Sequence, residues 1–337
     1  MKKNFKLLFL AAILSVSATM VFLSCKKDKD DTPSTENCIP DKTSSYWNDW
    51  YRQNQLNGRA KTVTHKIANH DEYDSFYNVM EFDAKGNLLK DCKYNREDPT
   101  NYYGNSFQYD AQNRLVKIIM GNNTRPEYEF IECSYSGAHT AYIPTHIIGF
   151  RFQKGVTSIK YTYDDEVYFD FKFKSASCAD NSVHFAGTFM GKGTAEINIP
   201  CVGNLPKDIA LSATNPEGET ISGTLYSATY GADGMFERIS YYNNDGINVD
   251  YTEDYTTIAG FMLLTKEYRP SQPDRTVEIE YNDKGFEVHR VDKVNEFRYV
   301  DYQYDSHGNW TERTREYNDG GNWKYYKTET REITYWD

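Results

Sequence analysis

Tyr304-Asp305-Ser306-His307-Gly308-Asn309-Trp310 decides the fold, because every position has a physical reason and the pattern recurs. It returns as Phe82-Asp83-Ala84-Lys85-Gly86-Asn87-Leu88, Tyr109-Asp110-Ala111-Gln112-Asn113-Arg114-Leu115 and Tyr230-Gly231-Ala232-Asp233-Gly234-Met235-Phe236. Two further copies are Tyr281-Asn282-Asp283-Lys284-Gly285-Phe286 and Tyr317-Asn318-Asp319-Gly320-Gly321-Asn322-Trp323. An Asp or Asn after the aromatic accepts from backbone N–H groups and starts a type I turn. The Gly three places later supplies the positive φ of a three-residue hairpin loop with a G1 bulge. Asn113 replaces it in one copy, and Asn is the next most tolerant residue there. The leading aromatic then faces the residue six positions on: Leu88, Leu115, Phe236, Trp310 or Trp323. Each such cross-strand pair is worth roughly 0.2–1 kcal/mol. Glu287 breaks the rule, so a shifted register is expected at Tyr281.

Working outward, the segments between turns alternate. Phe169, Phe171 and Phe173 are separated by Asp170 and Lys172, and Val300, Tyr302 and Tyr304 by Asp301 and Gln303. One apolar and one polar face is the pattern of an antiparallel sheet with one solvated side. The composition agrees: 29 Tyr, 18 Phe and 5 Trp make aromatics 15% of 337 residues, and such residues favour strands. The net charge of −11, with no basic stripe, excludes nucleic acid as a partner.

The cassette resembles the YD or RHS-type repeats of bacterial surface proteins. Leu56-Asn57-Gly58-Arg59-Ala60-Lys61-Thr62-Val63-Thr64 is similar to the opening strand before such repeats in lipoproteins of this type. Asp305–Trp310 followed by Thr330-Arg331-Glu332-Ile333-Thr334-Tyr335 resembles their terminal unit. The resemblance covers about residues 54–120 and 225–337. It implies an all-β fold, an elongated, twisted antiparallel sheet of consecutive hairpins, and implies no activity. Residues 137–225 carry the cassette poorly, with Tyr163-Asp164-Asp165-Glu166 as a degenerate copy. They read as degenerate repeats of the same sheet with longer loops, or as an inserted domain. Strand-like runs continue there through 147–152, 158–163, 167–173, 184–189 and 194–199. A short amphipathic helix is expected over 43–55, capped by Ser44 or Ser45, packing Trp47, Trp50 and Tyr51 against an open sheet end.

The beginning of the chain carries an address. Lys2, Lys3 and Lys6 precede an apolar run from Leu7 to Val21, the layout of a secretory signal and too short for a stop-transfer span. The run closes on Phe22-Leu23-Ser24-Cys25, which resembles the lipobox of bacterial lipoproteins. That resemblance implies a signal peptide over 1–24 and lipidation of Cys25, with the acylated cysteine holding the chain to a membrane. Residues 25–40, rich in Lys and Asp, read as a flexible tether, and 41–337 as the repeat domain. The lysine and clustered aspartates after Cys25 resemble the surface-export signal of one Gram-negative phylum. An outer-membrane lipoprotein is expected, surface-exposed or else facing the periplasm.

Little in the remaining sequence demands chemistry. Cys38, Cys92, Cys133, Cys178 and Cys201 show no Cys-x-x-Cys spacing, and Cys178 with Cys201 is the preferred disulfide pair, against free thiols throughout. Gly187-Thr188-Phe189-Met190-Gly191-Lys192-Gly193-Thr194 fails as a phosphate loop, because Gly193 stands where Ser or Thr belongs and strand-like residues follow. The seven histidines lack metal spacing; His184 between Cys178 and Cys201 is the nearest approach to a thiolate site. Asp164-Asp165-Glu166 lacks the spacing of a calcium loop. No Gly-x-Ser-x-Gly elbow occurs, and no cofactor is expected. Trp310, Trp323 and Trp336 recur at thirteen-residue spacing; they either stack on a sugar ligand or, for Trp310 and Trp323, fill the cross-strand slot. The expectation is a non-catalytic, lipid-anchored protein that binds or scaffolds a glycan or surface-protein partner at the cell envelope. The alternatives are a carbohydrate-binding component of a glycan-uptake system and a hydrolase with unrecognised carboxylates.

Overall fold

The hairpin turns form as the residue chemistry dictates. Asp83 Oδ1 accepts from the N–H groups of Lys85 (2.8 Å) and Asn87 (2.9 Å), and Gly86 N–H donates to Asp83 O (3.0 Å). The same bonds recur around Asp110, Asn282 and Asp305. The left-handed position is filled by Gly86, Gly285 and Gly308, and by Asn113 at φ +66°. Phe82 pairs with Leu88, Tyr230 with Phe236 and Tyr304 with Trp310.

Two hairpins differ from the expected register, and the cassette has a further copy. Tyr281 pairs with Glu287 in the unshifted register. The turn is set by Asn282, not by the residue that closes it, and Phe286 beside Glu287 supplies the buried side chain instead. At Tyr317 the loop is shorter than expected. Asp319 pairs with Asn322, so Trp323 faces Asn318 rather than Tyr317. Gly320 and Gly321 both take positive φ (+61° and +92°), as a two-residue type I′ turn requires. Thr214-Asn215-Pro216-Glu217-Gly218-Glu219-Thr220 is a further copy, with Thr214 paired to Thr220 and Asn215 Oδ1 accepting from Glu219 N–H. It lacks the leading aromatic that marks the others.

This computed structural model describes residues 55–68, 76–135, 142–145, 151–154, 156–163, 166–177, 182–189, 193–202, 205–206, 208–231, 236–243, 246–293 and 295–337. The first strands are β1 (Ala60–Ala68), β2 (Phe76–Phe82), β3 (Leu88–Asn95), β4 (Tyr102–Tyr109), β5 (Leu115–Asn122) and β6 (Glu129–Tyr135). Then come β7 (Tyr142–Thr145), β8 (Arg151–Lys154), β9 (Val156–Tyr163), β10 (Glu166–Ser177), β11 (Ser182–Phe189) and β12 (Gly193–Val202). β13 (Leu205–Pro206), β14 (Asp208–Thr214), β15 (Thr220–Tyr230), β16 (Phe236–Tyr242), β17 (Val249–Ile258) and β18 (Phe261–Tyr268) follow. The last are β19 (Val277–Tyr281), β20 (Glu287–Asp292), β21 (Asn295–Tyr304), β22 (Trp310–Asp319) and β23 (Asn322–Tyr335). The chain is all-β. Among the described residues the helical element is a single 3-10 turn, Pro273–Arg275. The helix expected over 43–55 lies outside the described residues except for Gln55, whose φ of +55° is not that of a right-handed helix.

The chain divides into two units. Of the described residues, one holds those within 55–107, Ile119–Glu127 and Glu253–Asp337. Within it β4, β3, β2 and β1 pair in succession, β1 pairs onward with β23, and β23 leads back through β22, β21, β20 and β19 to β18, all antiparallel. The expected elongated, twisted sheet of consecutive hairpins is therefore wrong. β1 and β23 are neighbours, and their pairing removes two rows of unpaired backbone groups that free edges would expose. Asn309 fastens this junction. Its side chain is 0% exposed; Oδ1 accepts from Asn57 N–H (2.7 Å), and Nδ2 donates to Asn57 O (2.8 Å) and Tyr335 Oη (2.7 Å). Tyr335 in turn donates to Asp305, and His307 stacks on its ring at 3.9 Å. The apolar core of this unit includes Val63, Phe82, Leu88, Leu263, Phe286 and Trp310.

Of the described residues, the other unit holds those within Gln108–Ile118 and Tyr128–Thr252. Its strands β6, β9, β10, β11, β12, β14, β15 and β16 pair consecutively and antiparallel, around Ile131, Phe185, Ile199, Leu211, Phe236 and Ile239. Strands of the 137–225 stretch thus continue the pairing begun by β6. The sequence copy at Tyr163 does not take the cassette register, since Tyr163 pairs with Glu166 directly. Phe189 pairs with Gly193, which makes the glycine-rich stretch a hairpin and not a phosphate loop.

Candidate ligand-binding face

Strand periodicity brings the charged residues of β22 and β23 to one face. Arg313 stands opposite Glu329 and Arg315 opposite Lys327, while His65 of β1 stands opposite Arg331. These side chains point inward among aromatic rings. Arg313 is sandwiched by Tyr299 (4.0 Å) and Trp310 (4.4 Å), Arg331 lies 3.9 Å from Trp310, and Arg315 lies 3.8 Å from Phe297. A guanidinium over a ring gains electrostatic attraction while its in-plane N–H groups stay available.

The carboxylate at the centre is Glu329, whose side chain is 5% exposed. Oε2 accepts from Arg313 Nε (2.8 Å) and Nη2 (2.6 Å) and lies 3.7 Å from His65 Nε2, beyond hydrogen-bond reach. Oε1 is 3.8 Å from Lys327 Nζ. Burial alone would raise this carboxyl, but the pull of His65 and Arg313 outweighs it and holds Glu329 well below the usual range. His65 is pushed down by burial and by the charges of Arg331 and Arg313, against the pull of Glu329. Burial, followed by the charge of Glu287, lifts Tyr299 to about 12. Arg331 is brought down to about 9 by burial and by the charge of Arg313.

Toward the hairpin end of β22 and β23 the same sheet region becomes aromatic and open. Tyr326 is 44% exposed, with its ring 5.9 Å from Phe297, 6.2 Å from Tyr317 and 5.6 Å from the Arg315 guanidinium. Tyr325 beside it is 50% exposed. A surface aromatic pair thus adjoins buried cations.

The stacking candidates fall in different settings. Trp310 is 1% exposed and fills the cross-strand slot opposite Tyr304. Trp323 is half-buried with Arg298 4.6 Å over its ring, and half-buried Trp336 carries Lys61 at 4.6 Å. Cys25 and Cys178 lie outside the described residues, and of Cys201 only the backbone, in β12, is described. Cys92 and Cys133 are buried free thiols, and burial lifts Cys133 to about 12. Among the described residues no three His, Cys, Asp or Glu side chains gather as a metal site. The other unit has an open concavity of about 360 Å³ on β10–β12 and β14, lined by Asp170, Lys172, Thr188, Glu196 and Ser212 among others.

The Arg313–Glu329–Arg331 cluster escaped the sequence reading. Its signal is present: in Arg313-Thr314-Arg315 and Lys327-Thr328-Glu329-Thr330-Arg331 charged residues repeat at period two. Such a pattern ordinarily marks a solvated face. Only the aromatic content of the neighbouring strands suggests that this face is lined by rings.

Together, fold and face define an all-β chain of antiparallel hairpins with an aromatic and cationic face. No family model and no curated protein sequence matches the chain. Among solved structures it is similar to a porin-like protein from Bacteroides uniformis ATCC 8492, at 9% identity and a TM-score of 0.31, over 82% of this chain and 96% of that one. It is also similar to a chain in the structure of TcdB2-TccC3-Cdc42, at 11% identity and a TM-score of 0.22, over 72% of this chain and 17% of that one.

Proposed function

We propose that this chain is a non-catalytic, lipid-anchored binding protein of the cell envelope, taking a saccharide on the aromatic and cationic face of β21–β23. The observation that carries the reading is the exposed Tyr326, set beside Phe297, Tyr317 and Arg315. A ring already fixed by its neighbours loses little freedom when a ligand covers it, and tyrosine offers both an apolar face and a hydroxyl. The anchor rests on Lys2–Cys25, and the YD-type repeat supplies a rigid frame. The test is binding of the full chain, in detergent, to a panel of neutral and acidic oligosaccharides. Tyr326→Ala should weaken binding about tenfold, the equivalent of ~1.4 kcal/mol. No binding to any saccharide, or unchanged binding by a folded Tyr326→Ala chain, rejects the reading.

A further inference from the structure

The cationic cluster holds more positive charge than its central carboxylate can answer. Arg313, Arg315, Lys327 and Arg331 share this face with Glu329, and Glu329 is already engaged by Arg313 and Lys327. Glu287 on nearby β20 is taken by Arg290, which donates to both of its oxygens. Arg331 is left with Nε and Nη1 buried and without a hydrogen-bond partner, and Arg315 is left with Nε in the same condition. His65 Nε2, across the strand pair from Arg331, is also buried and unbonded. What holds the two guanidiniums is rings: Trp310 for Arg331, Phe297 for Arg315. A ring face attracts the cation but accepts none of its in-plane N–H bonds, so these donors stay open. Buried donors without acceptors are costly, and a folded chain that keeps several on one face has a polar group to complete them.

We propose that the open Nε and Nη1 donors of Arg331 form a buried site for the oxyanion group of a ligand (a carboxylate, sulfate or phosphate), with Arg331 as its recognising residue. The inference rests on the binding reading above and names the charged group taken at that face. A planar guanidinium held over an indole, as Arg331 is over Trp310 at 3.9 Å, presents its donors as a planar array, and an oxyanion accepts from such an array through two oxygens. Burial and the charge of Arg313 weaken Arg331's hold on its proton, and an anion beside it relieves both effects.

The experiment follows the melting midpoint of the full chain in chloride buffer with added sulfate, phosphate or glucuronate at matched ionic strength. A saturable rise is expected, about 5 °C at a hundredfold excess over Kd, above the unsaturating rise that sulfate gives any protein. Arg331→Met keeps a side chain packed on Trp310 and removes the donors. It should melt at or above the wild type in chloride and lose the saturable response. Arg331→Lys, which keeps the charge without the planar array, should need at least about tenfold more anion, and it serves if the methionine chain does not fold. A response to sulfate or phosphate alone supports the site with a free oxyanion as ligand; a response to glucuronate supports it with an acidic saccharide. No saturable response to any of the three, or an Arg331→Met chain that responds as wild type, overturns it. The binding reading fails separately, since neutral saccharide binding that depends on Tyr326 stands whatever the anions do.

Discussion

Asn309→Ala removes the clamp that joins the segment before β1 to the last hairpin. Three hydrogen bonds disappear: Asn57 N–H to Oδ1, and Nδ2 to Asn57 O and to Tyr335 Oη, all between 2.7 and 2.8 Å. At about 1 kcal/mol each they sum to ~3 kcal/mol. Asn57 is exposed, so water can replace part of what its backbone loses, while the fully buried Asn309 side chain leaves a void that water does not refill as well. The expected loss is about 2–3 kcal/mol, read as a lower urea midpoint at unchanged m-value. Asn309→Asp should cost at least as much as Asn309→Ala, because it keeps one acceptor, loses both donors and buries a carboxylate near Asp305, which Tyr335 already contacts. A loss below about 1 kcal/mol for Asn309→Ala refutes the clamp.

Further consequences can be checked in the same way. Gly308→Ala should cost about 1 kcal/mol, from φ of +80° alone, because the nearest atom to the new Cβ is Asn57 Nδ2 at 4.0 Å. Gly285→Ala, at the same φ, should cost about 1–3 kcal/mol more, because its Cβ meets Phe261 Cδ2 at 2.8 Å; equal losses would contradict the packing at Phe261. Acidification should lower the melting midpoint in two stages. His65 has a folded value below its ordinary 6.5, so the unfolded chain binds the proton more readily and stability falls as pH drops through that region. Glu329 is also depressed, so its contribution is full above 4.5 and is lost below it. His65→Gln should flatten the first stage, and a midpoint that is flat from pH about 7 to about 5 in the unaltered chain speaks against the cluster. Cys25→Ala should leave the protein unacylated and released from membranes, and persistent membrane association would count against the anchor.

How much was legible in the sequence varied with the range of the interaction. The turns were readable because Asp83, Asp110, Asn282 and Asp305 satisfy backbone groups no more than four residues away. The loop at Tyr317 is not fixed by its own residues, since Gly320-Gly321 also permits a shorter one, and the choice between loops is made by register along the whole strand pair. The cationic face was invisible because period-two charges look the same whether they meet water or rings. That setting is supplied by Tyr299 and Phe297 of β21 and by Trp310, brought back to the face of Arg313 by a bulge.

Asn87 and Asn309 state the division most plainly. Both follow a left-handed glycine and precede a buried apolar residue, and both donate their N–H to the aspartate of their own turn. By itself the sequence determined that much: the hairpins, their αL positions and the alternation of the strands, all set by contacts within a few residues. Where each side chain reaches next is decided by the tertiary structure. Asn87 folds back on Asp83, whereas Asn309 crosses 252 residues to Asn57, because the pairing of β1 with β23 brings that segment beside it. A hydrophobic pattern fixes which face of a strand is buried. It does not say which distant strand will cover the edge.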